Sequence, residues 1–273
     1  MIRGGDGVRE FFRDKVCVVT GGANGIGRCL VEVFANQGCR VAFIDLDQQA
    51  GSRLLTRLPR SAEHLFYCGD VGSEAVLTEF ADQVIERFGQ VHFILNNACF
   101  SNGGILSGCS YEQFNQVLKV GVVAPYYLTL LLRDHLAKGA SIINIASTRA
   151  FMSQPDTESY SAAKGGIVAL THALAISLAD KARVNCISPG WIETAAFHAD
   201  RPVPEHSGPD ASQHPSGRVG VPFDIAHLAL FLCSEQAEFI TGENINVDGG
   251  MSKLMIYHGD HGWQLEDSMD NKA

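Results

Sequence analysis

Tyr160 and Lys164 stand at the two ends of Tyr160-Ser161-Ala162-Ala163-Lys164, a spacing that puts both side chains on one face of a helix. A phenol keeps its proton up to a pH of ~10, so a tyrosine that gives and takes a proton near neutrality needs its anion stabilised by about 4 kcal/mol. An ammonium ~4–5 Å away, at an effective dielectric of ~20, supplies about 3–4 kcal/mol of that. Alone, such a pair is common on solvent-facing helices. Here it is accompanied by Ser147, which follows a short apolar run at 141–145. That places the serine near the carboxyl edge of a sheet, where ligands of open α/β folds bind.

A second group of residues has the spacing of a nucleotide site. The first apolar run, Val16–Thr20, leads into Gly21-Gly22-Ala23-Asn24-Gly25-Ile26-Gly27 and then a helical stretch. Glycines allow a tight turn there and let the backbone N–H groups over Gly21–Gly27 approach a pyrophosphate at the positive helix end. Ala23 takes the second glycine position of the G-x-G-x-x-G fingerprint, so the turn alone is a weak signal. Asp45, closing a second run at Arg40–Asp45, stands close to the ~20 residues downstream where the fingerprint expects an acid. A carboxylate at that point accepts hydrogen bonds from the adenosine ribose hydroxyls and repels a 2′-phosphate, which selects NAD over NADP. No lysine or arginine lies within Gly21–Gly27, and Asp47 adds further negative charge. The positive nicotinamide of NAD⁺ would help Lys164 stabilise a tyrosinate.

These residues must be carried by a regular frame, and the hydrophobic pattern predicts one. Apolar runs at Val16–Thr20, Arg40–Asp45, 64–68, 91–95, 141–145, 183–187 and Asn244–Val247 read as strands. Between them lie helical stretches to about Gln37 and Leu58, at 73–88, 111–137 and 158–179, and at Pro222–Cys233. Strands this apolar, alternating with helices, are parallel and covered on both faces. The fold class is therefore α/β, a Rossmann-type doubly wound sheet of seven mainly parallel strands. The pattern shows neither repeat nor linker, so residues 1–273 read as a single catalytic domain. The substrate loop is irregular over about 191–220, where Pro202, Pro204, Pro209 and Pro215 fall, and a tail follows at about 251–273. A loop this long inside a compact domain is usually functional.

Composition removes several alternatives. With 46% hydrophobic residues the chain can bury a full core, and a net charge of −9 argues against nucleic-acid or anionic-membrane partners. At 19%, charged residues are somewhat sparse, weak support for surface buried in an oligomer. No apolar run approaches the ~20 residues of a membrane-spanning helix, and the first fifteen residues show no secretory signal. The eight cysteines are scattered without zinc or redox spacing, several of them inside apolar runs. They read as buried reduced thiols of a cytoplasmic protein.

Taken together, the motifs resemble those of the short-chain dehydrogenase/reductase family in its compact, single-domain, NAD-dependent branch. The match spans about residues 15–250. It rests on Thr20–Gly27, Asp70-Val71, Asn96-Asn97-Ala98, Ser147, Tyr160 with Lys164, and Pro189-Gly190-Trp191-Ile192-Glu193-Thr194. The resemblance implies that Asp70 and Val71 hold the adenine, and that Asn97 and Ala98 line the adenosine side. Tyr160 would exchange the proton with the substrate oxygen, Ser147 would hydrogen-bond that oxygen, and Lys164 would bind the nicotinamide ribose. Ile192 and Thr194, after Pro189-Gly190, would contact the carboxamide. A homotetramer built through the helices at about 111–137 and 158–180 is also implied.

Two positions depart from the family pattern. Cys99 stands where a glycine is usual, and Gly121 stands where the family carries an asparagine that supports a local helix distortion. Glycine keeps the backbone carbonyl and permits a distorted helix, so a backbone proton relay can survive at Gly121.

The substrate would lie over Ser147 and Tyr160, walled by Phe151, Trp191 and the loop after Thr194, which suits an apolar or ring-shaped alcohol or ketone. His198, His206 and His214 are candidates for polar contacts, or simply solvated loop residues. His258 and His261 lack a third ligand, so no metal site is expected, and Trp263 is expected to pack on the body or on a neighbouring subunit. Besides a dehydrogenase acting on CH–OH groups, two readings stay open. One is an NAD-binding regulatory protein whose catalysis is impaired at Gly121; the other is an epimerase or lyase reaction on the same scaffold.

Overall fold

The computed structural model describes residues 10–255 and Tyr257. Among them are strands β1 (Val16–Thr20), β2 (Arg40–Asp45), β3 (Leu65–Cys68), β4 (Val91–Asn96), β5 (Leu136–Ile145), β6 (Ala182–Pro189) and β7 (Asn244–Val247). They form one sheet in the order β3-β2-β1-β4-β5-β6-β7, every neighbour parallel. The helices are α1 (Gly25–Asn36), α2 (Gln48–Arg57), α3 (Glu74–Phe88), α4 (Tyr111–Leu118), α5 (Ala124–Leu132), α6 (Glu158–Ser177), α7 (Gly208–Ser212) and α8 (Pro222–Cys233).

The strands are apolar on both faces because both faces are covered. Within β1, Cys17 and Val19 point into a core shared with α1, Leu54 of α2 and α8. Val16 and Val18 point the other way, into a core shared with α3, α5 and the end of α6. The chain builds outward from β1 to β3, then crosses to β4 on the other side of β1. That reversal leaves a crevice at the carboxyl ends of β1 and β4, where a doubly wound sheet binds its ligand.

Three elements differ from the sequence reading. The expected helix over 111–137 is two α-helices joined by a π turn at Lys119–Val123. It ends in a 3₁₀ turn at Arg133–His135, and Leu136 already starts β5 by pairing with Val91. The apolar residues there serve a strand entrance that periodicity alone cannot separate from a helix end. The loop over 199–220 contains α7, whose Ser207 and Asp210 form a reciprocal capping box with a proline in the first turn. Finally, only Cys17, Cys29, Cys39, Cys186 and Cys233 are buried; Cys68 is exposed, and Cys99 and Cys109 are partly so. His258, His261 and Trp263 lie outside the described residues.

Candidate active site

The glycine turn is tight for a steric reason. A Cβ on Gly27 would sit 1.9 Å from the carbonyl oxygen of Gly21, so no other residue lets α1 start this close to β1. Gly25 has φ +58°, a conformation that favours glycine. Asn97 ties the turn to the end of β4: its Nδ2 donates to the carbonyls of Thr20 and Gly21 at 3.2 and 3.0 Å. The backbone N–H groups of Asn97 and Ala98 donate to Thr20 Oγ1 at 3.0 and 3.1 Å. Asn24 makes no side-chain cap on α1, so the free N–H groups of its first turn remain available to an anion.

Asp45 is fixed from two sides. Its Oδ2 accepts from the Ala23 N–H and its Oδ1 from the Asp47 N–H, both at 2.9 Å. Two bonds leave a carboxylate with further lone pairs for ribose hydroxyls. Asp47 caps α2 by accepting from Ala50 at 2.9 Å and receives Asn24 Nδ2 at 3.2 Å. The Ala50 N–H in particular holds its carboxyl below the usual carboxylate range.

Between these walls runs an open groove of about 500 Å³. Gly21, Asn24, Gly25, Ile26, Asp45, Asp70, Val71, Asn97, Ala98 and Thr194 all line it. Leu46, Cys99, Phe100, Gln116, Val120 and His198 also line it, and the sequence reading did not place them there. Gly27, Tyr160, Lys164, Pro189, Gly190 and Ile192, also expected to hold the cofactor, are not on its wall, and neither is Ser147. Gly190 lets β6 approach Asp248, whose Cβ would be 2.6 Å from an added one, and Ile192 bridges to Gly220. The open helix N-terminus and the Asp45 carboxylate, spaced along one groove, fit the pyrophosphate and ribose of a dinucleotide.

At the catalytic end, Lys164 is 3% exposed, and its Nζ donates to the carbonyl of Ile145 at 2.7 Å. The same Nζ lies 5.3 Å from the centroid of the Tyr160 ring. Ser147 is buried one residue past Ala146, and its Oγ accepts from the Arg149 N–H at 3.1 Å. That bond starts a 3₁₀ turn at Thr148–Ala150 that packs on α6. A buried polar chain fixes β5 against α6: Asn96 donates to Asn144 at 2.8 Å, and Asn144 donates to Thr171 at 2.9 Å.

The start of α6 is strapped to the loop after β4. Asp156 Oδ1 accepts from the N–H groups of Leu106 and Ser107 at 3.0 and 2.9 Å. Glu158 accepts from Ile105 at 3.2 Å, and Ser159 donates to the carbonyl of Gly103 at 2.7 Å. Tyr160 therefore follows three anchor residues, Asp156, Glu158 and Ser159. Gly121 sits in the π turn, where an added Cβ would lie 2.9 Å from Ala163 Cβ and 3.3 Å from Cys99 Sγ. The distorted helix expected at this glycine is present, and its close packing on α6 explains the missing side chain.

The expected substrate wall is less uniform. Phe151 is exposed. Trp191 packs edge-on against His206, with ring centroids 5.4 Å apart, and tilted against His214 at 6.1 Å. It lines a separate hollow with Ile192, Arg218 and Asp248, not the dinucleotide groove. His214 is buried rather than solvated; its Nδ1 faces the Asp210 carbonyl at 3.1 Å, and its Nε2 has no partner among the described residues. His206 Nε2 lies 3.8 Å from Glu193.

The chain is similar to known proteins along most of its length. A family model described as enoyl-(acyl carrier protein) reductase matches residues 21–252. An uncharacterised oxidoreductase of Thermotoga maritima is 44% identical over 89% of this chain and 98% of its own. A mouse (Mus musculus) L-fucose dehydrogenase is 37% identical over 88% of this chain and 89% of its own. A ligand-free SCOR enzyme from Clostridium thermocellum has a TM-score of 0.84 at 46% identity, covering 93% of this chain and 98% of that one.

Proposed function

Because the chain belongs to the short-chain dehydrogenase/reductase family and is an oxidoreductase, we propose that it moves a hydride between NAD(H) and a secondary alcohol or ketone. The observation that carries this reading is the buried Lys164 ammonium, held by Ile145 at 2.7 Å and 5.3 Å from the Tyr160 ring centroid. A cation and a phenol so placed can act together on one reacting oxygen. When bound, the nicotinamide supplies or accepts the hydride. Tyr160 Oη gives the proton to the carbonyl oxygen during reduction and takes it from the hydroxyl during oxidation. Ser147 Oγ holds that same oxygen, and Lys164 orients the nicotinamide ribose. The π turn around Gly121 offers backbone carbonyls next to α6, supporting a proton path that needs no side chain at this position.

Asp45 favours NAD over NADP by accepting from the ribose and opposing a 2′-phosphate. The substrate class stays at small alcohols and carbonyls, with sugars first to be assayed because the mouse relative is an L-fucose dehydrogenase. Reduced buried thiols suit a cytoplasmic setting. The deciding experiment follows NADH absorbance with NAD⁺ and NADP⁺ across sugars, aliphatic alcohols and hydroxysteroids, with Tyr160→Phe beside the wild type. Loss of the acid–base group lowers kcat by roughly 10²–10⁴ while NADH binding persists. Turnover that survives Tyr160→Phe refutes the mechanism, and tight NADH binding without any turnover favours a regulatory protein.

A further inference from the structure

Gly121 stands between the dinucleotide groove and α6. Val120, the residue before it, lines the groove, and so does Cys99 beside it. On its other side is Ala163, which directly precedes Lys164. Gly121 is buried in the π turn at Lys119–Val123, and that turn packs along α6. A Cβ built on it would lie 2.9 Å from Ala163 Cβ and 3.3 Å from Cys99 Sγ. The next residue repeats the contact with the sides exchanged. Val122 Cγ2 lies 3.0 Å from the point that a Cβ on Gly166 of α6 would occupy. Two adjacent residues of the turn thus meet two residues of α6 about one helical turn apart, and each pair contains a glycine.

Glycine is the poorer helix former, so a glycine on each side of one contact calls for a reason in packing. Interdigitation is that reason, because the side chains at a crossing set how near two helices lie. Carbons in ordinary contact sit about 3.5–4.0 Å apart, so a methyl group at position 121 pushes the turn and α6 apart by up to about 1 Å. The helix cannot take this up at its ends. Its start is anchored through Asp156, Glu158 and Ser159 to the loop after β4. The displacement therefore falls on the segment after these anchors, which carries Tyr160 and Lys164.

Resting on the NAD(H) reading, we propose that Gly121 is a positioning residue. Lacking a side chain, it seats the π turn on Ala163, while Val122 seats on Gly166. Together the two contacts set the span from the dinucleotide groove to Tyr160 and Lys164. Because Tyr160 and Lys164 ride on one helix, widening the contact moves them as a unit and leaves their mutual geometry intact. What grows is their distance from a cofactor in the groove. A misplacement of about 1 Å costs up to roughly a hundredfold in rate.

Moving one methyl group across the contact tests this. Initial rates, ADP binding and melting temperatures are compared for the wild type, Gly121→Ala, Ala163→Gly and the double variant. Gly121→Ala is expected to lower kcat about tenfold or more. Its pH profile keeps its midpoint to within about 0.3 pH unit, since the acid–base pair moves as a unit. Its affinity for ADP, which reaches only the adenosine end of the groove, changes less than about twofold. Ala163→Gly stays within about threefold of the wild-type kcat, and the double variant returns to that range. Gly121→Ala also melts below the wild type, although alanine is the better helix former, and the double variant regains the loss. A kcat for Gly121→Ala within about twofold of the wild type overturns the proposal. So does a double variant no faster than Gly121→Ala, or a loss of ADP affinity with kcat kept. Where Gly121→Ala fails to fold, the double variant decides: recovered turnover supports the spacing role, and a folded but inactive protein overturns it. A wild type that turns over no alcohol or ketone sinks the NAD(H) reading alone. The melting comparison then decides the spacing, and Gly121→Ala melting at or above the wild type overturns it.

Discussion

The proposed cofactor preference rests on one carboxylate, that of Asp45, and its surroundings make the outcome of changing it specific. The two bonds it accepts from Ala23 and Asp47 pin the glycine turn to β2, so a truncating substitution would loosen the turn as well as remove the charge. Asp45→Asn is the cleaner variant, since one acceptor oxygen survives. It removes a charge opposing a 2′-phosphate, about 2 kcal/mol at a partly exposed site. The ratio of kcat/KM for NADP⁺ over NAD⁺ is therefore expected to rise roughly thirtyfold, read from initial rates with both cofactors. An unchanged ratio would show that Asp45 serves the turn alone. Asp45, Tyr160 and Lys164 were legible in the sequence because their signal is local: a strand end, a helix spacing, a glycine turn. His198 was not, because its direction depends on a 3₁₀ turn and on the loop folding back over α1. Trp191 was legible as a large apolar residue near the site, but its partners His206 and His214 come from a segment that reads as proline-rich loop.

The elements that carry the site are joined at their far ends by two histidines. At the amino edge of the sheet, His92 Nδ1 accepts from the Val16 N–H at 3.1 Å and His64 Nδ1 accepts from the Val41 N–H at 2.9 Å. Only an unprotonated nitrogen can accept, so both strand starts need neutral imidazoles. Burial, assisted for His92 by Lys15 and Arg40, pushes that ring down from 6.5 to about 4; burial lowers His64 as well. A histidine lowered in the folded state binds its proton more readily when unfolded. Its neutral form is preferred by both states above pH 6.5, and stability is lost as pH falls from there towards 4. The full gap for His92 corresponds to about 3 kcal/mol, reduced to about 2 kcal/mol by solvent screening of a partly exposed ring. Urea midpoints measured at neutral and acid pH are expected to fall more steeply for the wild type than for His92→Gln, whose amide oxygen accepts the same bond at every pH. Parallel curves for the two proteins would sink this account. The strand pattern was readable from apolar runs, whereas the π turn and the early start of β5 were not. Both replace one regular element by another within a continuous apolar stretch, and the choice is made by packing: Gly121 against Ala163, and Leu136 against Val91.

At the scale of the whole molecule, a chain with a net charge of −9 repels its own copies, so any assembly must bury enough apolar surface to overcome that repulsion. The outer face of α6 offers such surface. Ala162, Ala169, Ala173 and Ile176 recur there at helical spacing and are exposed, Ile176 at 80%, while Lys164, Ile167 and Leu174 of the same helix face inward. Small residues let a second helix approach closely, and Tyr111, Val123 and Tyr126, around the π turn, are exposed on the neighbouring α4–α5 segment. We propose a tetramer in which α6 and α4–α5 pack on their symmetry copies, the arrangement that the family resemblance implies and that closed two-fold interfaces favour. Light scattering is expected to give four chain masses for the wild type. Ala169→Glu, which places a carboxylate near its own symmetry copy in an apolar contact, is expected to leave two masses or one and to lower the melting temperature. Raising the salt concentration screens repulsion between exposed like charges beyond ~8–10 Å, so the wild-type tetramer should hold better in salt, with little recovery for a carboxylate buried inside the contact. A single chain mass for the wild type at all salt concentrations would refute the assembly. It would also mean that the back of α6, opposite Tyr160 and Lys164, is held by this chain alone.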